Sequence, residues 1–304
     1  MLVTGGAGFM GSNFVRHLLA KGTDYEITVL DSLTYAGNLQ NLNGCLDKVQ
    51  FVHGSILDEN LVDSLISKTG VIVNFAAETH NDNSLLDPEP FYSTNVMGTF
   101  RLAQAARKHS VRLHQISTDE VYGDLPLDSE EKFTEEYPFS PSSPYSASKA
   151  AADHLLLAWH RSFGLKVTIS NSANNFGPNQ NPEKLIPKSV ESLRLGLKPK
   201  VYGSGLNVRD WIHVDDHTEA VLSILERGKV GHNYIVSASQ LRSNLDVIGT
   251  LNQAFGQPAN YIEFIEDRPG HDRKYASDSQ KIRTHTGWAP KSESLETFLQ
   301  KQSL

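Results

Sequence analysis

Thr4-Gly5-Gly6-Ala7-Gly8-Phe9-Met10-Gly11 follows the apolar residues Leu2-Val3 and opens an amphipathic stretch over Gly11–Lys21. Gly5, Gly8 and Gly11 recur at three-residue spacing. Glycines at such a strand-to-helix junction let the backbone turn tightly and approach a pyrophosphate, whose charge then rests on the helix N-terminus. A plain tight turn uses the same residue type, so the discriminating partner is Asp31, at the end of the run Ile27-Thr28-Val29-Leu30. A carboxylate there accepts from ribose hydroxyls and repels a 2′-phosphate, which favours NAD over NADP. An ordinary strand-end turn residue is the alternative reading of Asp31.

Outward from this segment, short β-branched runs alternate with helical patterns, as in βαβ units building a parallel sheet. Strands are expected near Leu2–Thr4, Ile27–Leu30, Val49–His53, Val71–Phe75, Leu113–Ser117 and Lys166–Ser170, and helices over Gly11–Lys21, Glu59–Lys68, Phe91–Lys108 and Tyr145–Phe163. Right-handed crossovers then predict an α/β, doubly wound Rossmann sheet. The first strand is short for a central one. After Asn171, Pro- and Gly-punctuated loops break the rhythm, with helical patterns at Lys184–Leu195, Asp215–Glu226 and Asn244–Phe255. The expected division is a dinucleotide-binding domain over 1–170 and a smaller lobe over 171–304, mainly for substrate. The acidic stretch Asp124–Tyr137 reads as a mobile surface loop.

Composition narrows the function classes. The 304 residues carry 28 Lys+Arg against 35 Asp+Glu, a net charge of −7, so no basic excess awaits nucleic acid or an anionic membrane. The single cysteine, Cys45, excludes a disulfide framework and a Cys-based zinc site, and fits a reducing compartment. Apolar runs such as Val71–Ala77 fall short of the roughly 18 residues of a membrane span. No charged, apolar leader opens the chain. A soluble, cytoplasmic protein is expected.

Tyr145-Ser146-Ala147-Ser148-Lys149 puts Tyr145 and Lys149 at i and i+4, on one face of a helix starting after Pro144. A nearby ammonium stabilises a phenolate, so a lowered tyrosine pKa and a base role are expected; a solvated helix face is the bland alternative. Ser117-Thr118-Asp119-Glu120 ends a strand, where open α/β sheets place their ligands. Two adjacent carboxylates exceed what hydride chemistry needs and could supply a separate acid and base, although an N-cap with acidic residues on the helix dipole has the same pattern. His80, His213 and His271 fall in no metal-ligand spacing, and no metal is expected.

Together these segments resemble the extended short-chain dehydrogenase/reductase family, and within it the nucleotide-sugar 4,6-dehydratases, nearly end to end. The matching motifs are Thr4–Gly11, Asp31–Leu42, Phe75–His80, Ser117–Gly123, Ser143–Ala150, Asn174–Pro178, Pro182–Pro187, Asn207–Trp211 and Asp267–Asp272. Thr118-Asp119-Glu120 separates this resemblance from the sugar-nucleotide epimerases, which usually lack the two charges. The resemblance implies conversion of dTDP-glucose to its 4-keto-6-deoxy form by transient hydride transfer to tightly bound NAD. Tyr145, with Thr118 and Lys149, would deprotonate the C4 hydroxyl, Glu120 would take the C5 proton, and Asp119 would protonate the departing C6 hydroxyl.

By the same resemblance NAD would lie against Gly5, Gly8, Phe9, Met10, Gly11, Asp31, Ser32, Leu33, Thr34, Ser55, Ile56, Phe75, Ala76, Ala77, Thr79, Thr94, Tyr145, Lys149 and Asn174. The nucleotide-sugar would meet Thr79, Ser84, Thr118, Asn175, Lys184, Leu185, Lys200, Val201, Tyr202, Arg209, Asn244 and the run Asp267, Arg268, Pro269, Gly270, His271. Guanidinium forks suit Arg209 and Arg268 to a diphosphate, with an ion pair as the alternative. A homodimer through the Phe91–Lys108 and Tyr145–Phe163 helices is implied likewise. Asn83 stands where this family usually has Arg, and Ser55 where an acidic residue is usual. A 4-epimerase, a dehydratase for another nucleotide-sugar and a non-catalytic NAD-binding protein are the competing readings.

Overall fold

A computed structural model describes residues 1–303; Leu304, the end of the expected second lobe, lies outside them. Seven parallel strands form the central sheet: β1 (Leu2–Thr4), β2 (Thr28–Asp31), β3 (Gln50–His53), β4 (Val71–Asn74), β5 (Arg112–Thr118), β6 (Val167–Ser172) and β10 (Asn233–Val236), in the spatial order β10-β6-β5-β4-β1-β2-β3. The chain moves one way from β1 to β3 and then returns to add β4 on the other side. The crevice of this switch point therefore opens beyond the carboxyl ends of β1 and β4, where ligands of such sheets sit.

Alternation along the strands splits the core into two layers. Leu2, Leu30, Ile72, Leu113 and Val167 pack with Val62, Ile66, Leu102 and Leu156 from helices α2 (Glu59–Ile66), α5 (Thr99–Lys108) and α6 (Pro144–Phe163). Val3, Val29, Val73 and Ile116 face the other way, onto Phe14, Val15, Leu18 and Val221 of α1 (Phe9–Ala20) and α8 (Val214–Arg227). Three residues suffice for β1 because both neighbours hydrogen-bond it and both of its faces are buried.

The expected strands and helices of the first half recur within a few residues of their sequence positions. One helix differs: Phe91–Lys108 consists of α4 (Glu89–Phe91), a wide π-helical stretch over Tyr92–Gly98 and then α5. The wider turn presents Asn95, whose amide donates to the Glu78 carbonyl (3.0 Å) and the Ser148 hydroxyl (2.8 Å) while its oxygen accepts from Glu78 N (2.9 Å). It thereby pins the loop after β4.

Beyond Ser172 lie β7 (Asn174–Phe176), α7 (Leu185–Arg194), β8 (Lys200–Tyr202), β9 (Val208–His213), β11 (Leu241–Ser243), α9 (Asn244–Ala254) and β12 (Glu263–Ile265). They form a mixed β11-β9-β7 sheet and a β12-β8 pair over a core of Phe176, Trp211, Val247, Leu251 and Phe298. The boundary at 170 falls inside β6, and both β10 and α8 return to the first layer. Among the described residues, no helix is long and apolar enough to cross a membrane, and no group of three or more His, Cys, Asp or Glu could hold a metal ion.

Candidate active site

The crevice is a cavity of about 460 Å³ running from the glycine turn to the end of β6. Its glycines are sterically required. Gly5 has φ +67°, and a Cβ there would lie 2.5 Å from Ala76 N; a Cβ on Gly11 would lie 2.3 Å from the Gly5 carbonyl oxygen. Asp31 is buried and both of its oxygens are engaged, Oδ2 accepting from Ala7 N at 2.9 Å and Oδ1 from Leu33 N at 2.8 Å. It lines the cavity and clamps the glycine turn at once.

Gly5, Gly8, Phe9, Met10, Gly11, Asp31, Ser32, Thr34, Ser55, Ile56, Phe75, Ala76, Ala77, Thr79, Thr94, Tyr145, Lys149 and Asn174 all line this cavity. Leu33 does not; its backbone N–H serves Asp31. A dinucleotide fits these residues on two grounds: Gly5 and Gly11 admit no Cβ, and the buried Asn174 Oδ1 has no partner among the described residues.

At the far end of the same cavity stand Thr118, Asp119, Glu120, Tyr145, Lys149, Asn175 and Lys184. Thr118 ends β5 and caps the single 3₁₀ turn Asp119–Tyr122 by accepting from Glu120 N at 3.2 Å. The N-cap reading is therefore correct, and the turn it caps is what aims both carboxylates into the cavity. Helix α6 begins with a capping box: the Ser143 hydroxyl accepts from Ser146 N (3.1 Å) and the Ser146 hydroxyl accepts from Ser143 N (3.0 Å). Pro144 occupies the first turn, where a missing N–H is harmless. This rigid start fixes Tyr145, and Lys149 one turn on donates from Nζ to the Ile116 carbonyl at 2.7 Å.

Electrostatics divide the roles. Burial and then the neighbouring Glu120 charge hold Asp119 well above the usual carboxylate range, and its Oδ2 has no protein partner. An upward shift favours the protonated form, which suits a proton donor. Burial lowers Lys149 to about 8 and raises Asp153 to about 6, each partly offset by the other's charge. The expectation of a lowered Tyr145 is corrected: burial, followed by the Glu120 charge, pushes the phenol well above its ordinary value, against a lowering contribution from Thr118. Desolvation of a phenolate dominates, and the Lys149 ammonium is held on the Ile116 carbonyl.

Further out, the Lys184 ammonium donates to the Thr79 carbonyl at 2.9 Å. Arg268 and Tyr202 both donate to Asp82, at 3.0 and 2.9 Å, and His271 is bonded to Asp267 at 2.6 Å. Arg209 is buried; its fork donates to the carbonyls of Val208 (2.9 Å) and Asp272 (2.8 Å), and its plane lies 4.2 Å from the Tyr275 ring centre. Ser84, Leu185, Lys200, Val201, Tyr202, Arg209, Asn244 and Asp267–His271 stand outside the cavity wall. Sequence reasoning missed Glu78, Gln180 and Asn181, which line it. Glu78 lies inside the Phe75–His80 motif and could have been found there, whereas the loop before Pro182 carried no chemical pattern.

Sheet order, glycine turn and a buried Tyr–Lys pair on one helix define an extended short-chain dehydrogenase/reductase. Within that class the chain belongs to the family described as GDP-mannose 4,6 dehydratase, matched over residues 2–301. It is 50% identical over 299 residues to the dTDP-glucose 4,6-dehydratase of Mycolicibacterium smegmatis, covering 98% of this chain and 90% of that one. The solved dTDP-glucose 4,6-dehydratase of Streptomyces venezuelae, which has NAD bound, shares the structure with a TM-score of 0.95 and 41% identity over 99% of this chain and 95% of that one. The UDP-glucose 4-epimerase of Thermus thermophilus, also with NAD, is similar at a TM-score of 0.89 and 30% identity, over 99% of this chain and 97% of that one.

Proposed function

We propose that this chain is an NAD-dependent hydro-lyase that converts dTDP-glucose to dTDP-4-keto-6-deoxyglucose. The carrying observation is the Asp119–Glu120 pair, Asp119 buried and Glu120 half-buried, in one cavity with Tyr145 and Lys149. NAD, when bound, supplies the hydride acceptor and a cationic ring that favours ionisation of the neighbouring phenol. Tyr145 takes the C4 hydroxyl proton, with Thr118 and Lys149 holding the oxygen. The resulting 4-ketone acidifies C5–H. Glu120 removes that proton, the C6–O bond breaks, and Asp119 gives its own proton to the departing hydroxyl, so one water leaves. Hydride returned to C6 and a proton to C5 close the cycle with no net oxidation.

For the nucleotide-sugar we assign residues 171–304 the larger share of contacts, with Arg209 and Arg268 on the diphosphate. Arg268 exchanges Asp82 for phosphate oxygens. A homodimer forms through the Tyr92–Lys108 and α6 helices, a reading supported by the exposed Tyr92, Met97 and Phe163 they carry. The lone, buried Cys45 supports a reducing, cytoplasmic setting. Incubation with dTDP-glucose, UDP-glucose and GDP-mannose, followed by mass analysis, tests the function. Loss of one water from dTDP-glucose is expected, and an unchanged mass with all three would refute it.

A further inference from the structure

The elimination base has one neighbour that no step above uses. Asn81, the first residue of helix α3 (Asn81–Leu86), donates from Nδ2 to Glu120 Oε2 at 2.9 Å. Among the described residues this is the sole hydrogen bond to that carboxylate, and no cation forms an ion pair with it. The groups that feel its charge are mostly acids: Asp119 and Tyr145 in the cavity, Asp272 and Tyr275 from the opposite loop, with Arg209 near the latter. A carboxylate set among acids and bonded by a single N–H depends on that N–H for its orientation.

Asn81 is itself held from both sides. Ser84 Oγ donates to the Asn81 carbonyl at 2.7 Å, and Asp82, next in the chain, is gripped by Arg268 and Tyr202. Its side chain, however, is not stitched into the fold: Oδ1 is buried with no partner. The amide's one hydrogen bond is to Glu120.

Resting on the dehydratase reading, we propose that Asn81 is the positioning residue of the elimination base, holding the Glu120 carboxylate in the orientation that meets C5–H. It does not touch the C4 chemistry, so its removal slows elimination and spares oxidation. The test uses the NAD-loaded enzyme with dTDP-glucose in deuterated water, following near-ultraviolet absorbance of reduced cofactor and deuterium entry at C5. In Asn81→Val the C5 exchange should fall about tenfold, as expected for losing one hydrogen bond to a charged group, and reduced cofactor should accumulate. Asn81→Asp, which preserves shape, should be slower still, because its carboxylate cannot donate to Glu120 and sets a second charge beside it. Asn81→Gln keeps the donor and should recover part of the rate.

Wild-type exchange without build-up of reduced cofactor in both Asn81→Val and Asn81→Asp would overturn the assignment and leave the dehydratase reading standing. A wild-type protein that releases no water from dTDP-glucose would overturn both.

Discussion

Tyr145 and Glu120 share a cavity; the roles proposed for them fall in opposite halves of the reaction, and single substitutions separate them. Tyr145→Phe keeps the ring packing and removes the proton acceptor, so turnover should fall by roughly 10²–10⁴ with no reduced cofactor appearing. Glu120→Gln leaves oxidation possible and blocks elimination, so bound reduced cofactor should build up on substrate addition. Matching spectra from the two variants would contradict the division of labour. Asp31 carries a second residue-scale prediction. Asp31→Ala removes the charge that repels a 2′-phosphate, and NAD and NADP affinities measured by calorimetry should converge. Because the same carboxylate holds Ala7 N and Leu33 N, the NAD affinity should also drop. These residues were legible in the sequence as types at a spacing. The direction of the Tyr145 shift was not, since it depends on burial and on the Glu120 charge, which no spacing records.

At the scale of elements, β9 and the loop over 266–272 are joined through Arg209. Arg209→Lys keeps the charge and loses the two-armed contact with Val208 and Asp272. The Michaelis constant for the nucleotide-sugar should rise several-fold while NAD affinity, governed by the glycine turn, stays unchanged; an unaltered Michaelis constant would count against a diphosphate role. The first-half strands were readable because each is a β-branched run bounded by breakers. The three-residue strands β7, β8, β11 and β12 were not, because their identity comes from cross-strand partners far along the chain, as in Leu241–Ser243 against Val208–Asp210. The π-helical stretch over Tyr92–Gly98 was equally hidden: its residues form an ordinary helical pattern, and the bond from Asn95 to Glu78 that accompanies the wider turn is tertiary.

For the whole molecule, acid sensitivity follows from two buried histidines, one on β5 and one on α8. His114 and His217 are fully buried, and His217 has no partner for either ring nitrogen. Burial lowers both to about 3; at His114 the charges of Arg112 and His217 add to it. Below about 6.5 the unfolded chain takes up protons that the native state refuses. Stability present above that pH is therefore lost as the pH falls toward 3. His217→Phe should lose less unfolding free energy between pH 7 and pH 5 than the wild type does in urea titrations, and equal losses would contradict this. The central claim, that hydride leaves C4 and comes back to C6 around a water elimination, is tested most directly with dTDP-glucose carrying deuterium at C4. The account predicts a product lighter by one water with that deuterium in the C6 methyl group. A product of unchanged mass, or one whose C6 carries no deuterium, would contradict it.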